Sequence, residues 1–170
     1  MLNYRNRLNY SVPWIAEQDT LNAEHCAPAA TWNEAERLIA LARYTALDAL
    51  CITDLEALAA MAADLCACPA AAIHFVDDQY QHCMAAFALE REAVVRERSP
   101  SAWAIRQEGA LVLPHTDTLA QFELPRLADG QTTGFYAAVI LRSSDGLPLG
   151  TLSVFDHQPR ELTPRQGTQI

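Results

Sequence analysis

Residues Gly134 to Arg160, GFYAAVILRSSDGLPLGTLSVFDHQPR, decide the architecture of this chain. They read as two strands, Phe135–Leu141 and Leu149–Asp156, joined through Ser144-Asp145-Gly146, whose Asp-Gly pair is a strong turn signal. Phe, Tyr, Val, Ile and Leu fill the first strand, which predicts burial on both faces. Alternation in the second sets Thr151 and Ser153 on one face and Leu152 and Val154 on the other. A core hairpin with polar groups inside it implies a sheet that lines something.

Working outward, residues 114–133 hold Pro114, Pro125, Asp129 and Gly130 and read as a long loop, of the length usually found in lids and binding segments. Ala110–Leu113 before it is a short strand, and Ser99-Pro100 opens a short helix that reaches Ile105 and stops at Gly109. Arg91 to Arg98 reads as charged and exposed. Two further strands, Ala70–Val76 and Gln81–Ala88, flank the polar turn Asp77-Asp78-Gln79-Tyr80. Ahead of them lie two helices, each opened by a capping-box pattern, Thr31-Trp32-Asn33-Glu34 and Thr53-Asp54-Leu55-Glu56. The first continues with Leu38, Leu41, Ala42 and Thr45 at helical spacing. The second carries the stripe Leu55, Leu58, Ala59, Ala62, Leu65 and Cys66, stopped by Pro69.

The expected organisation is an N-terminal extension over residues 1–30, with Tyr4, Tyr10 and Trp14 loosely held, and a single domain over 31–170. Thr163-Pro164-Arg165-Gln166 starts a closing helix that is truncated four residues later. The order of elements predicts an α+β domain. A central antiparallel sheet of about five to six strands has the N-terminal helices on one face and the long loop plus short helix over the other.

The 170 residues are 51% apolar, enough for one domain with a real core. Net charge is −9, and every one of the 12 basic residues is Arg. That balance repels nucleic acid and anionic membrane surfaces, so neither is an expected partner. No apolar run approaches the ~18–20 residues of a membrane span, and MLNYRNRLNYSVPW lacks the apolar core of a secretory signal. A cytoplasmic protein is expected. Five cysteines (Cys26, Cys51, Cys66, Cys68 and Cys83) are an odd number for a secreted disulfide framework. Cys66-x-Cys68 lacks the two-residue spacer of zinc and redox pairs and reads as helix-end packing.

The same residues carry a resemblance. Phe135, Tyr136, Gly146, Leu149, Gly150, Thr151, Leu152, Val154, Asp156, Pro159, Arg160 and Leu162 match in place the closing motif of GAF domains. The type most resembled precedes diguanylate cyclase or histidine kinase modules in bacterial signalling proteins. Asn33-Glu34-Ala35-Glu36-Arg37-Leu38 resembles the family's opening helix, and Phe75-Val76-Asp77 with Gln81 its first hairpin. The resemblance spans about residues 32–166 and implies a GAF/PAS-like fold. It also implies a non-enzymatic sensory or regulatory domain that binds a small molecule and modulates an output of the cyclic-di-GMP or two-component kind. Helix packing or dimerisation would carry the signal, so a homodimer or an attached output module is an implied partner. The alternatives are a structural dimerisation or interaction module without ligand, and a thiol-dependent free methionine sulfoxide reductase.

Departures from the pattern narrow the chemistry. Ser101 and Trp103 stand where related domains often carry Cys and His, and Ser153 replaces a Cys. Gly134 replaces an Arg, while Leu119 and Gln121 replace an Asp and an Arg. Charged and soft groups that would hold an anionic ligand are thereby lost. No cysteine follows Cys83, which rules out covalent bilin at the usual GAF cysteine and leaves the reductase reading on Cys83 alone. The cofactor is otherwise open, and no local spacing supplies a metal site.

The candidate ligand pocket is His74, Trp103, His115, Phe122, Tyr136, Thr151 and Ser153. His74 lies in an apolar strand; on the Ser153 face it would serve a ligand, a metal or haem. The plainer reading, taken as the expectation, is a core histidine satisfied by a hydroxyl or backbone group. His115 opens the long loop after Pro114 and would join a site, though the plainer reading, taken as the expectation, is an exposed loop histidine. Trp103 and Phe122 would wall a pocket or anchor the core, and Tyr136 brings a phenol that needs a partner.

Overall fold

The computed structural model describes residues 30–45, 52–107, 109–116 and 120–160. The N-terminal extension, the closing-helix start at Thr163, Cys26, Cys51 and Leu119 lie outside the described residues. The elements in chain order are α1 (Glu34–Thr45), α2 (Ile52–Cys66), β1 (Ala70–Val76), β2 (Tyr80–Phe87) and β3 (Val94–Val95), then a 3₁₀ turn (Arg96–Arg98), α3 (Pro100–Ala104), β4 (Leu111–Leu113), β5 (Phe135–Arg142) and β6 (Pro148–Asp156). The strands form one six-stranded sheet in the order β3-β2-β1-β6-β5-β4, and every neighbouring pair is antiparallel. This is the expected α+β architecture.

The β5–β6 hairpin turns through Ser143 to Gly146, with Gly146 at φ +82°, where a side chain would strain the backbone. Burial on both faces holds only for Phe135 to Ala138, since Val139 to Arg142 run out toward the turn. Its centre pairs with β1, placing His74 opposite Thr151 and Ala72 opposite Ser153. Thr151, Ser153 and Phe155 thus share a face with His74, while Leu152 and Val154 share the other with Ala71. Where the strands meet, a Cβ on Gly150 would lie 1.9 Å from the His74 carbonyl oxygen. Gly150→Ala is therefore expected to push β6 off β1 and cost about 2–3 kcal/mol, measured as a lower urea midpoint.

The helices depart from expectation in their register. α1 is capped not by Thr31 but by Asn33, whose side chain accepts from the Ala35 and Glu36 amides. Thr53 lies inside α2, so the second capping box is not a cap. α1 buries Arg37, Ala40 and Leu41 and leaves Ala42 and Thr45 exposed. α2 buries Ala59, Ala62, Ala63 and Cys66 against Ala71, Val112, Phe135, Ala137 and Val154. Leu58, Met61 and Leu65 point outward at 50, 59 and 50% exposure, and Leu55 is half-buried, so the predicted stripe is rotated. Small side chains let the helix approach the sheet closely; the leucines are left on the outer row. No helix among the described residues is long and apolar enough to cross a membrane.

Two ends of the sheet are held by arginine. Arg160 donates to the Ala67 and Cys66 carbonyls past the end of α2 and pairs with Asp156 at 2.9 Å. Its guanidinium also lies 5.8 Å from the Phe135 ring centre. Arg37 is fully buried at the other end of the sheet. It donates to the carbonyls of Val76, Pro148 and Asp77 and forks onto the Glu34 carboxylate. The Arg91–Arg98 segment is not simply exposed: Val94 is buried in β3, and Arg96 joins Glu34 at 2.6 Å and the Asp77 carbonyl at 2.7 Å. Burial would raise the Glu34 pKa, but hydrogen bonds from Arg37, Arg96 and Trp32 outweigh it and bring it down to about 2.

Candidate functional site

The face of the sheet away from α2 is covered by α3 and the long loop. Ser99 caps α3, accepting from the Ala102 amide, while its own hydroxyl donates to Gln81 Oε1 at 2.6 Å. Pro100 follows at the first helical position, where its missing N–H is harmless. This two-way grip through β2 fixes α3 over the sheet and delivers Ser101 to its centre.

Four hydroxyls meet there. Thr151 Oγ1 donates to Ser101 Oγ at 2.8 Å, and Ser153 Oγ donates to Tyr136 OH at 3.3 Å. Contacts of 3.0 Å between Thr151 and Ser153 and 3.4 Å between Ser101 and Tyr136 close a ring. All four residues are fully buried. Burial raises the Tyr136 pKa, with the three hydroxyl neighbours opposing, so the phenol stays protonated and able to donate. Both contacts of Tyr136 are the long ones. Tyr136→Phe leaves the Thr151 bonds intact and is expected to cost only about 1 kcal/mol in equilibrium unfolding.

His74 stands beside this ring, with its imidazole edge-on to Phe155 at 6.2 Å and Phe155 tilted on Tyr136 at 5.4 Å. It is buried, and its Nδ1 has no hydrogen-bond partner among the described residues. The expectation of a histidine satisfied by a hydroxyl or backbone group is therefore corrected. The neighbouring hydroxyls bond to one another instead. Burial lowers the His74 pKa to about 4, so the ring is neutral at physiological pH.

Of the remaining candidates, Trp103 and Phe122 pack edge to face at 6.0 Å, half-buried against the cluster that holds Tyr136, Leu111, Leu113 and Phe155. His115 is exposed and joins none of these contacts. Beside the Phe122 ring, the long loop lines an open pocket of about 230 Å³ with Thr116, Leu124, Arg126 and Thr133 among its lining. Arg126 is exposed and donates to the Gly130 carbonyl of its own loop. Leu89 bridges to Leu127, which ties the loop back beside the sheet.

Ser101 is the member that sequence reasoning passed over as a ligand group. Its place two residues after the capping Ser99, directly behind Pro100, was the available signal. Among the described residues the sheet separates Cys83 from the neighbouring Cys66 and Cys68. Cys83 is half-buried on the His74 side of the sheet, and its thiol is pushed up by burial despite Arg91. Cys66 and Cys68 lie on the α2 side, the latter pushed by burial up to about 12. No group of three or more His, Cys, Asp or Glu among the described residues is placed to hold a metal.

No protein-family model matches the chain, and no curated protein matches it. Solved structures do. The GAF domain of an Acinetobacter phosphoenolpyruvate-protein phosphotransferase superposes with TM-score 0.58 at 16% identity, covering 78% of this chain and 82% of that one. A putative GAF sensor protein from Burkholderia vietnamiensis gives 0.53 at 13% identity, over 79% and 86%. A free methionine-R-sulfoxide reductase from Neisseria meningitidis, solved with its substrate, gives 0.55 at 15% identity, over 83% and 86%. Identities this low carry the fold and leave activity open. With the six-stranded sheet, the α2 packing and the β5–β6 motif in place, this chain is a domain of the GAF fold.

Proposed function

We propose that this chain is a non-enzymatic sensory or regulatory domain that binds a small molecule between its sheet and its long loop. The single observation that carries the reading is the buried polar set itself. Ser101, Tyr136, Thr151 and Ser153 converge beside an imidazole nitrogen that nothing among the described residues satisfies. A buried polar atom without a partner costs about 1–3 kcal/mol, and such deficits concentrate where a fold serves a ligand. Thiols raised by burial, with Cys83 across the sheet from Cys66 and Cys68, support a binding role over reductase chemistry.

Binding would shift the helices, and the outward row Leu58, Met61 and Leu65 on α2 offers a surface on which a second copy or an output module would pack. A second reading, an interaction module without ligand, is favoured by one feature: the hydroxyls already bond to each other in a closed ring. Tryptophan fluorescence separates the two. Ligand binding against Trp103 predicts an emission shift on adding a metabolite mixture, absent in Trp103→Phe. An unchanged spectrum in both proteins favours the interaction module.

A further inference from the structure

The proposed site also speaks to the class of its ligand, and this inference rests on the small-molecule reading above. Register places the side chains of His74, Thr151, Ser153, Phe155, Tyr136 and Cys83 on the face under α3, and none of them bears a charge at neutral pH in its present setting. The cluster packed on that face is apolar throughout, with Ala70, Ala72, Ala104 and Ala138 leaving the least side-chain bulk next to the hydroxyls. Arg126 bonds its own loop, Arg91, whose charge reaches Cys83, pairs with Glu56, Arg98 pairs with Glu123, and Arg96 is held by Glu34 and the Asp77 carbonyl.

Hydroxyls and an imidazole can each present a donor or an acceptor. They cannot neutralise a net charge, and bringing an ion onto a buried neutral face leaves its desolvation uncompensated. The ring is weakest at Tyr136, whose two contacts are 3.3 and 3.4 Å while those at Thr151 are 2.8 and 3.0 Å. The phenol is therefore the hydroxyl released at least cost to meet an incoming acceptor, while the free His74 nitrogen meets a donor. Trp103 and Phe122, half-buried over the same cluster, form the part of the cover that side-chain rotation would open.

We infer that this face receives an uncharged small molecule carrying a hydrogen-bond donor and acceptor side by side, as in a primary amide, and discriminates against anions and cations of the same shape. His74 takes the donor, Tyr136 with Ser153 takes the acceptor, and the apolar cluster takes the remainder.

Three probes of nearly one shape test it: benzamide, benzoate and benzamidine, titrated calorimetrically into the whole chain at pH 7. Benzamide is expected to bind at least about tenfold more tightly than either ion. Tyr136→Phe and His74→Leu should each weaken it by about tenfold, with Ser153→Ala standing in should His74→Leu fail to fold. Arg126→Gln should leave it unchanged. Equal or tighter binding of benzoate or benzamidine overturns the ligand class while the small-molecule reading stands. Benzamide binding that Arg126→Gln weakens places the probe in the loop cavity and overturns the assignment to the sheet face. Absence of binding by all three overturns the inference as well. The small-molecule reading itself falls only if the protein also carries no mass from a metabolite extract.

Discussion

Arg37→Met is expected to destabilise the domain by about 3–5 kcal/mol, the largest effect of any single substitution considered for the fold. The guanidinium is fully buried and satisfies three backbone carbonyls from two strand ends, Val76 and the following Asp77 at the end of β1 and Pro148 at the start of β6. Removing it takes this donor from the buried Val76 and Pro148 carbonyls, while the Asp77 carbonyl keeps its bond from Arg96. It also strips Glu34 of the partner that, with Arg96 and Trp32, keeps its carboxylate ionised against the pull of burial. Arg37→Lys is expected to recover little, because one ammonium cannot span a carboxylate and carbonyls on two strands as a planar fork does. Urea denaturation of both variants measures this, with the midpoint falling sharply and the slope unchanged. A loss below about 1 kcal/mol for Arg37→Met would show that α1 is held by Ala40 and Leu41 packing alone.

The second large effect concerns pH. His74 titrates near 4 in the fold because it is buried, against an ordinary value of 6.5. Between those values the unfolded chain binds a proton that the folded chain refuses. The contribution is therefore complete above pH 6.5 and is lost as pH falls through that window. At 1.36 kcal/mol per unit, the loss reaches about 3 kcal/mol by pH 4. Glu34 acts in a lower window, since its depressed value of about 2 withdraws stability only as pH falls below its ordinary 4.5. Chemical denaturation at pH 7 and 5 separates them. Stability of the parent should drop across that interval, while His74→Leu should be nearly flat and more stable at pH 7 because an unsatisfied buried nitrogen has gone. Parallel profiles for the two proteins would show that His74 gains a partner or solvent access in solution.

Local chemistry explains which parts of the structure were legible in the sequence. The Asp145-Gly146 turn and the alternation of Thr151 and Ser153 with Leu152 and Val154 are properties of adjacent residues, and the hairpin formed as read. Tyr136, Thr151 and Ser153 could be assigned to one side on that basis. That His74 joins them depends on β1 pairing with β6 across 77 residues, from His74 to Thr151, a register that no local pattern encodes. The α2 stripe misled because alanines and leucines occupy neighbouring rows of one helix. Close approach to the sheet selected the small row, which a hydrophobicity pattern does not distinguish. Arg37 and β3 were missed for related reasons. A buried arginine is visible only through carbonyls from distant strands, and Val94-Val95 is a two-residue strand set in a charged run. His115 followed position in the loop rather than any constraint on its side chain, and it stays in solvent.

The central claim is that the sheet face serves a small molecule, and native mass spectrometry tests it most directly. The freshly purified whole chain, and the same protein incubated with a small-molecule cell extract and desalted, would each be compared with the denatured mass. Binding predicts added non-covalent mass that disappears on denaturation and is reduced in Tyr136→Phe. A native mass equal to the chain, or to whole multiples of it, in both samples would contradict the claim and leave a closed interaction module.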